Sequence, residues 1–387
     1  MGHPKRVYLD YNASAPLCAD AARAMQAWLE GTVANASSAH RSGQRSRAAI
    51  EEARVQVADL LGCEPAAVVF TSGGTEADNN AVLGAMGWPP SGHMVISAIE
   101  HPAVLEPAVA LHDLGLQITR VPVDGEGRVD PAAVAAALRP DTRLVSVMAA
   151  NNEIGSLQPV QKIAEIAHSA GALFHTDAVQ AAPWLDLHPL VAAADLLSLS
   201  SHKLGGPLGM GALYVRPGVD LVPLLRGGGQ EGGRRGGTEA TAAVVGFGAA
   251  CARARRLRPE AARRVGALRN RLEADLLNRI DGVRRNGCAD SRLPNTCHLA
   301  FSRCDGSALV ARLDLDGVAA SAGSACASGV TNASPITDAI GLEREFAAGT
   351  LRLSLGYNTT EADVERALEA VPVAVQAVRD AGLESSL

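Results

Sequence analysis

Lysine is scarce in this chain of 387 residues. Of its 35 basic residues only Lys5, Lys162 and Lys203 are lysines, and the other 32 are arginines. Since arginine is used where a positive charge is enough, a lysine indicates chemistry that a guanidinium cannot do, such as attack on a carbonyl. One lysine of three could also fall in a loop by chance. The residues around each lysine therefore decide the interpretation.

Other features that mark particular protein classes are missing. No apolar run reaches the roughly 18 residues of a membrane span and no leader-like segment opens the chain, so we expect a cytoplasmic protein. The seven cysteines include no Cys-x-x-Cys pair, which argues against a disulfide framework and against a zinc site. No Gly-x-Gly-x-x-Gly follows a strand, which argues against nicotinamide or flavin binding.

The composition that remains is typical of a soluble enzyme. The chain is 47% hydrophobic and 20% charged, and its length exceeds what one core usually supports. The net charge of −6, with scattered basic residues, gives no sign of a nucleic-acid surface or of one for anionic membranes. We expect two domains.

Helical and strand patterns alternate from about residue 45 to residue 215. This alternation predicts an α/β fold whose large domain has a mostly parallel sheet with helices on both faces. After residue 256 shorter strands (296–301, 319–320 and 351–355) and helices predict a smaller α+β domain. We expect residues 16–255 to form the large domain, and residues 1–15 with 256–387 to form the small one.

Reactive residue types follow the predicted strands of the large domain. Five strand ends carry, in order, Gly74-Thr75, His101, Asn152, Asp177 and Lys203. Each has a plain structural alternative, such as a helix cap for the aspartate or a packed core position for the histidine. In a parallel sheet, however, these ends meet at one edge, where ligands bind.

The set of residues at these strand ends suits pyridoxal 5′-phosphate. A lysine can condense with the cofactor aldehyde, an aspartate can pair with the pyridinium nitrogen, and a glycine-led helix start can hold the phosphate. The histidine adds a proton carrier.

Seven segments together resemble one known family. The chain is similar to the group I (NifS/IscS-type) cysteine desulfurases of the class V aminotransferase family, and this resemblance implies the type I aminotransferase-like fold. The segments that carry it are Tyr8–Ala13, Phe70–Asn79, Glu100–Val104, Asn151–Gly155, His175–Gln180, Ser201–Lys203 and Ser321–Cys326.

The resemblance implies a role for each residue that would bind the cofactor. Lys203 would bind the aldehyde, Asp177 the ring nitrogen and Gln180 the ring hydroxyl, while His101 would stack on the ring and shuttle protons. The phosphate would be held by Gly74, Thr75, Ser200 and His202.

The same resemblance implies a homodimer and a substrate site. Thr238, at the end of the glycine-rich run 227–238, would reach the phosphate of the neighbouring subunit. Asn152 and Arg352 would bind the substrate carboxylate, the arginine through two hydrogen bonds.

Cys326 lies in a segment of unusual composition. Residues 317–337 contain no charged and no aromatic residue, and such a run predicts a mobile loop. Mobility would let a thiolate reach the substrate sulfur and then carry that sulfur to an acceptor. The spacing of 26 residues to Arg352 resembles the long-loop arrangement of group I. We expect the other six cysteines to be buried and inert.

The resulting hypothesis is conversion of L-cysteine to L-alanine, with the sulfur held as a persulfide on Cys326. An acceptor protein would then take the sulfur, for iron–sulfur cluster assembly or another thiolation. A selenocysteine lyase and an aminotransferase on the same fold remain alternatives, and so does a binding protein that has lost the chemistry. No metal ion is implied.

The sequence departs from the family pattern in several places. Asn35-Ala-Ser-Ser replaces Asn-Pro-Ser-Ser, residues 329–337 lack the usual Leu-Glu-Pro-Ser run, and the chain stops at Leu387, shortly after the last predicted helix. We expect an iron–sulfur scaffold of the housekeeping type to bind weakly or through a different surface.

Overall fold

The computed structural model describes residues 6–30, 35–323 and 334–384. The strands are β1 (Val7–Tyr8), β2 (Val68–Thr71), β3 (His93–Ser97), β4 (Gln117–Val121), β5 (Thr142–Ser146), β6 (Leu173–Asp177), β7 (Leu196–Ser200), β8 (Gly211–Val215), β9 (Val283–Arg285), β10 (Thr296–Phe301), β11 (Val318–Ala319) and β12 (Thr350–Ser354).

The helices cover most of the remaining chain. They are α1 (Ala19–Leu29), α2 (Arg41–Leu61), α3 (Gly74–Met86), α4 (Pro102–Asp113), α5 (Pro131–Ala137), α6 (Val160–Ser169), α7 (His188–Ala193), α8 (Thr241–Arg279), α9 (Gly306–Leu315), α10 (Pro335–Ala339), α11 (Arg344–Ala347) and α12 (Glu361–Glu384). None of those described is long and apolar enough to cross a membrane.

A seven-stranded sheet carries the large layer of the fold. Its strand order is β2-β8-β7-β6-β5-β3-β4, and all neighbours are parallel except that β8 runs antiparallel to β2 and to β7. Successive residues of β2 show that both faces are covered: Val68 and Phe70 join one apolar cluster, whereas Val69 joins another. Since side chains alternate between the faces of a strand, helices cover the sheet on both sides.

The C-terminal part of the chain forms smaller sheets. β10 pairs antiparallel with β12 and with β9, while β1 pairs in parallel with β11. The N-terminal segment therefore packs on elements that follow residue 280. The α/β fold class, with a mostly parallel sheet and a smaller α+β part, is confirmed.

The longest helix passes through the expected domain boundary. α8 has 39 residues and runs on past residues 255 and 256. The division into 16–255, and into 1–15 with 256–387, stays a prediction.

Candidate active site

A cavity of about 350 Å³ lies at the carboxyl ends of the parallel strands. Ten of the predicted site residues line it: Gly74, Thr75, His101, Asn152, Asp177, Gln180, Ser200, His202, Lys203 and Arg352. The structure thus brings together residues that are separated by up to 278 positions in the chain.

The start of α3 forms one wall of the cavity. A Cβ added at Gly74 would lie 3.0 Å from Cγ2 of Val179 and 3.3 Å from Cβ of Ser200, so glycine lets these neighbours approach closely. The first backbone N–H groups of a helix have no partner within the helix and attract anions. This wall suits a phosphate group.

Lys203 lies in a short 3₁₀ turn, residues 201–204, directly after β7. Its Nζ donates a hydrogen bond to the carbonyl oxygen of Ala13 at 2.9 Å and another to that of Asn12. Gln180 donates its Nε2 to the same Asn12 oxygen at 3.0 Å. The N-terminal segment thus holds both side chains in place.

Asp177 is the last residue of β6 and is buried at the cavity floor. Its Oδ1 accepts the backbone N–H of Val179 at 2.8 Å. Burial, together with the nearby carboxyl of Asp78, raises the pKa of Asp177 to about 7. A cationic partner in the cavity would favour the ionised form of this group.

His101 caps the N-terminus of α4. Its Nδ1 accepts the backbone N–H of Ala103 at 3.1 Å, and burial lowers the pKa of the imidazole. The neutral ring therefore carries its proton on Nε2. His202 is neutral for the same reason, because burial and the adjacent Lys203 lower its pKa to about 4.

Arg352 is almost fully buried at the side of the cavity. Its Nη1 donates to the backbone oxygen of Asn152 at 3.0 Å, and its Nη2 to Oδ1 of Asp10 at 2.9 Å. Nε has no hydrogen-bond partner among the described residues. A buried donor that lacks a partner is costly, so an anionic group that reached it would be bound favourably.

Two predicted site residues lie elsewhere. Thr238 is exposed and does not line the cavity. Cys326 lies outside the described residues. The glycine-rich run before Thr238 is held by two ion pairs: Arg235 contacts Glu76 in the first turn of α3, and Arg54 contacts Glu231.

Several cavity residues were missed in the sequence. Asn12 supplies a carbonyl to Lys203, Asp78 lies beside Asp177, and Leu208, Gly209 and Met210 are among the other lining residues. The run Gly205–Gly211 was a usable signal, because glycines directly after a reactive lysine leave room for a ligand.

The comparisons with known proteins show the family to which the chain belongs. Residues 7–367 match the family Aminotransferase class-V. The "Cysteine desulfurase IscS" of Dictyoglomus turgidum is 41% identical over 377 residues, which are 97% of this chain and 96% of that protein.

Solved structures give the same result. A structure described as a NifS-like protein superposes with a TM-score of 0.89 at 33% identity, covering 96% of this chain and 100% of that one. Another, described as SspA in complex with cysteine, has a TM-score of 0.80 at 34% identity and covers 92% and 100% of the two chains.

Proposed function

This chain is a cysteine desulfurase of the class-V aminotransferase family, and we propose that its cavity binds pyridoxal 5′-phosphate and that Cys326 accepts the sulfur of L-cysteine. The observation that carries the proposal is the meeting of Lys203, Asp177, the start of α3 and Arg352 in one cavity.

The residues present fit the cofactor. Gly74, Thr75, Ser200 and His202 would hold its phosphate, at the wall where an added Cβ would fill the space beside Ser200. Asp177 would face the ring nitrogen, Gln180 the ring hydroxyl, and Lys203 the aldehyde. When bound, the cofactor withdraws electrons from the bonds at the substrate's α-carbon.

The chain's own groups bind the substrate and move its protons. Asn152 and Arg352 would hold the substrate carboxylate, since Nε of the guanidinium has no partner within the described part of the chain. Lys203 is the group placed to take and return protons, and the Nε2–H of His101 is placed to donate one, because both side chains line the cavity. Burial keeps His101 neutral, so its Nε2 is a hydrogen-bond donor and becomes an acceptor only after it has given up that proton.

The sulfur step is balanced without an external oxidant. The Cβ–S bond of cysteine and the S–H bond of Cys326 are lost, while an S–S bond and a new C–H bond form. L-alanine leaves, and Cys326 carries a persulfide. An acceptor thiol can take its outer sulfur, which restores the thiol of Cys326.

The acceptor and the dimer are further parts of the proposal. A sulfur carrier, such as an iron–sulfur scaffold, would collect the persulfide sulfur. Thr238 would act in the cavity of a second subunit, which agrees with its exposure and its distance from its own cavity.

The test follows alanine and persulfide formation from L-cysteine with added cofactor. Cys326→Ser should abolish the persulfide, whereas Cys63→Ser should not. Cys63 is a suitable control because it is the one cysteine among those described that is not fully buried. Full turnover of Cys326→Ser with a keto acid would instead indicate an aminotransferase, and turnover of selenocysteine alone a selenocysteine lyase.

A further inference from the structure

Asp10 joins Arg352 to the chain that leads towards Cys326. Its Oδ1 accepts Nη2 of Arg352 at 2.9 Å and also Oγ of Ser321 at 2.9 Å. The backbones of Ser321 and Arg352 are paired as well, with the N–H of Arg352 donating to the oxygen of Ser321 at 2.7 Å. Ser321 is therefore fixed to the substrate arginine.

Glu153 makes the equivalent connection on the far side of Cys326. Its carboxyl is 3% exposed, and its Oε2 accepts Oγ of Ser334 at 2.8 Å. Glu153 directly follows Asn152, whose backbone oxygen accepts Nη1 of Arg352. Ser334 is thus tied to the same arginine through two adjacent residues.

The two approaches to the Cys326 segment also meet at Glu153. A Cβ added at Gly323 would lie 3.3 Å from Oε2 of Glu153 and 3.4 Å from Cβ of Ser334. The chain therefore enters and leaves residues 324–333 at one place, beside a buried carboxyl that the proposed reaction does not use.

We propose that Glu153 is a positioning residue for the sulfur step, holding Ser334 and the neighbouring Gly323 on the frame that also fixes Asn152 and Arg352. The inference rests on the proposed function, because it assigns the sulfur to Cys326. Asp10 holds Ser321 on the same frame. The residues proposed to bind the substrate carboxylate and the two described ends that flank the Cys326 segment then share one set of contacts.

The first experiment separates substrate binding from sulfur transfer. In Glu153→Ala with added cofactor, half-saturation of the cysteine-induced absorbance change should stay within about three-fold of wild type. Single-turnover persulfide formation should fall about ten-fold or more, the size expected for losing a hydrogen bond to a carboxylate. Glu153→Gln keeps an acceptor for Ser334 and should restore most of the rate.

Controls exclude general damage. Glu126→Ala removes an exposed carboxyl and should change neither quantity. In a double-mutant cycle with Ser334→Ala, the double variant should be little slower than Glu153→Ala, because both changes remove the same contact. The proposal would be overturned if Glu153→Ala lost cysteine binding and persulfide formation equally, or if it formed the persulfide at the wild-type rate. It would also be overturned if Glu153→Gln recovered none of the lost rate.

A readout without cofactor keeps this proposal distinct from the proposed function. In the apoprotein, alkylation of Cys326 by iodoacetamide should be at least about three-fold faster in Glu153→Ala than in wild type, while Cys63 reacts equally in both. An unchanged Cys326 rate contradicts the positioning role. If wild type forms no persulfide, the proposed function fails, and the alkylation result still decides whether Glu153 holds the segment.

Discussion

Arg54 and Glu231 form a buried ion pair with two hydrogen bonds: Nη1 lies 2.7 Å from Oε2, and Nη2 lies 2.9 Å from Oε1. The same carboxyl accepts the backbone N–H of Phe70 at 2.8 Å. Helix α2, strand β2 and the glycine-rich run are therefore joined at one point, on the strand that leads to the start of α3.

Glu231→Ala should lower the free energy of unfolding by about 3–5 kcal/mol, because the Arg54 guanidinium would be left buried without its main partner. Asp141→Ala is the matched control. It breaks the exposed pair with Arg139 and should cost about 1 kcal/mol or less. Urea unfolding at one protein concentration measures both, and equal losses would contradict the role given to burial.

Lys203→Arg keeps the positive charge and can still donate to the carbonyls of Asn12 and Ala13, but a guanidinium cannot condense with an aldehyde. The variant should fold, as judged by circular dichroism, and should give no cofactor adduct after borohydride reduction. Alanine formation should fall by a factor of about 10³ or more. Lys162→Arg, at an exposed pair with Glu165, should match wild type. An adduct on Lys162 that survives in Lys203→Arg would reverse the assignment.

Glu100→Gln should make the apoprotein more stable than wild type as the pH rises. Burial raises the pKa of Glu100 from 4.5 to about 8, so between these values the native state holds a proton that the unfolded state has lost. Wild-type stability from this group therefore falls with rising pH, by about 1.4 kcal/mol per pH unit. Glutamine removes that dependence and keeps an acceptor for the N–H of Met148.

The pH window for this test is about 6.5 to 8. Below it, buried histidines such as His175, whose pKa burial lowers to about 4, change stability with the opposite sign. Within it, the neighbouring carboxyls of Asp177 and Asp78 act in the same direction as burial, since both raise the pKa of Glu100. The difference in unfolding free energy between Glu100→Gln and wild type should grow with pH, and Glu106→Gln, at an exposed position, should show no such trend.

Gly211→Ala should weaken cofactor binding from outside the cavity. The new Cβ would lie 2.5 Å from the carbonyl carbon of Gly73 and 2.6 Å from the oxygen of Leu199, both backbone atoms. The turn at Gly73, directly before α3, or strand β7 would have to shift. Affinity for pyridoxal phosphate should therefore fall at least about ten-fold, with a stability loss of about 1–3 kcal/mol. A Cβ added at Gly229 would meet no described atom within 4 Å, and the backbone φ of −79° is ordinary for any residue. Gly229→Ala should therefore change neither cofactor affinity nor stability.

Local patterns were enough to predict the elements that present the site. β10 has the predicted bounds, and Asp177 and Lys203 end or directly follow strands whose apolar runs are plain in the sequence. β4 was missed because it lies at the sheet edge, where Gln117 and Arg120 are exposed and the strand pattern is weak. The antiparallel direction of β8 was missed because it depends on its partners and not on its own residues.

Contacts between distant residues could not be read from the chain. Asn12 and Lys203 are 191 positions apart, and nothing near Asn12 indicates that its carbonyl will accept a lysine. Glu153 lies within the segment Asn151–Gly155, but the sequence predicted no role for it. Its contact with Ser334 depends on how the C-terminal part of the chain packs. For the glycine-rich run 227–238 the resemblance implied only a contact with a neighbouring subunit. The ion pairs that hold the run, to Arg54 and Glu76, depend on the fold.

The antiparallel insertion of β8 also sets the order in which the protein can fold during synthesis. In the described sheet, β2 pairs only with β8. β8 begins at Gly211, 140 residues after Thr71, the last residue of β2. At about 5–20 residues per second, about 7 to 28 seconds of translation separate the two strands. The cavity wall at the start of α3 therefore cannot be complete until residues 211–215 have left the ribosome, and until then the nascent chain must protect an unpaired apolar edge.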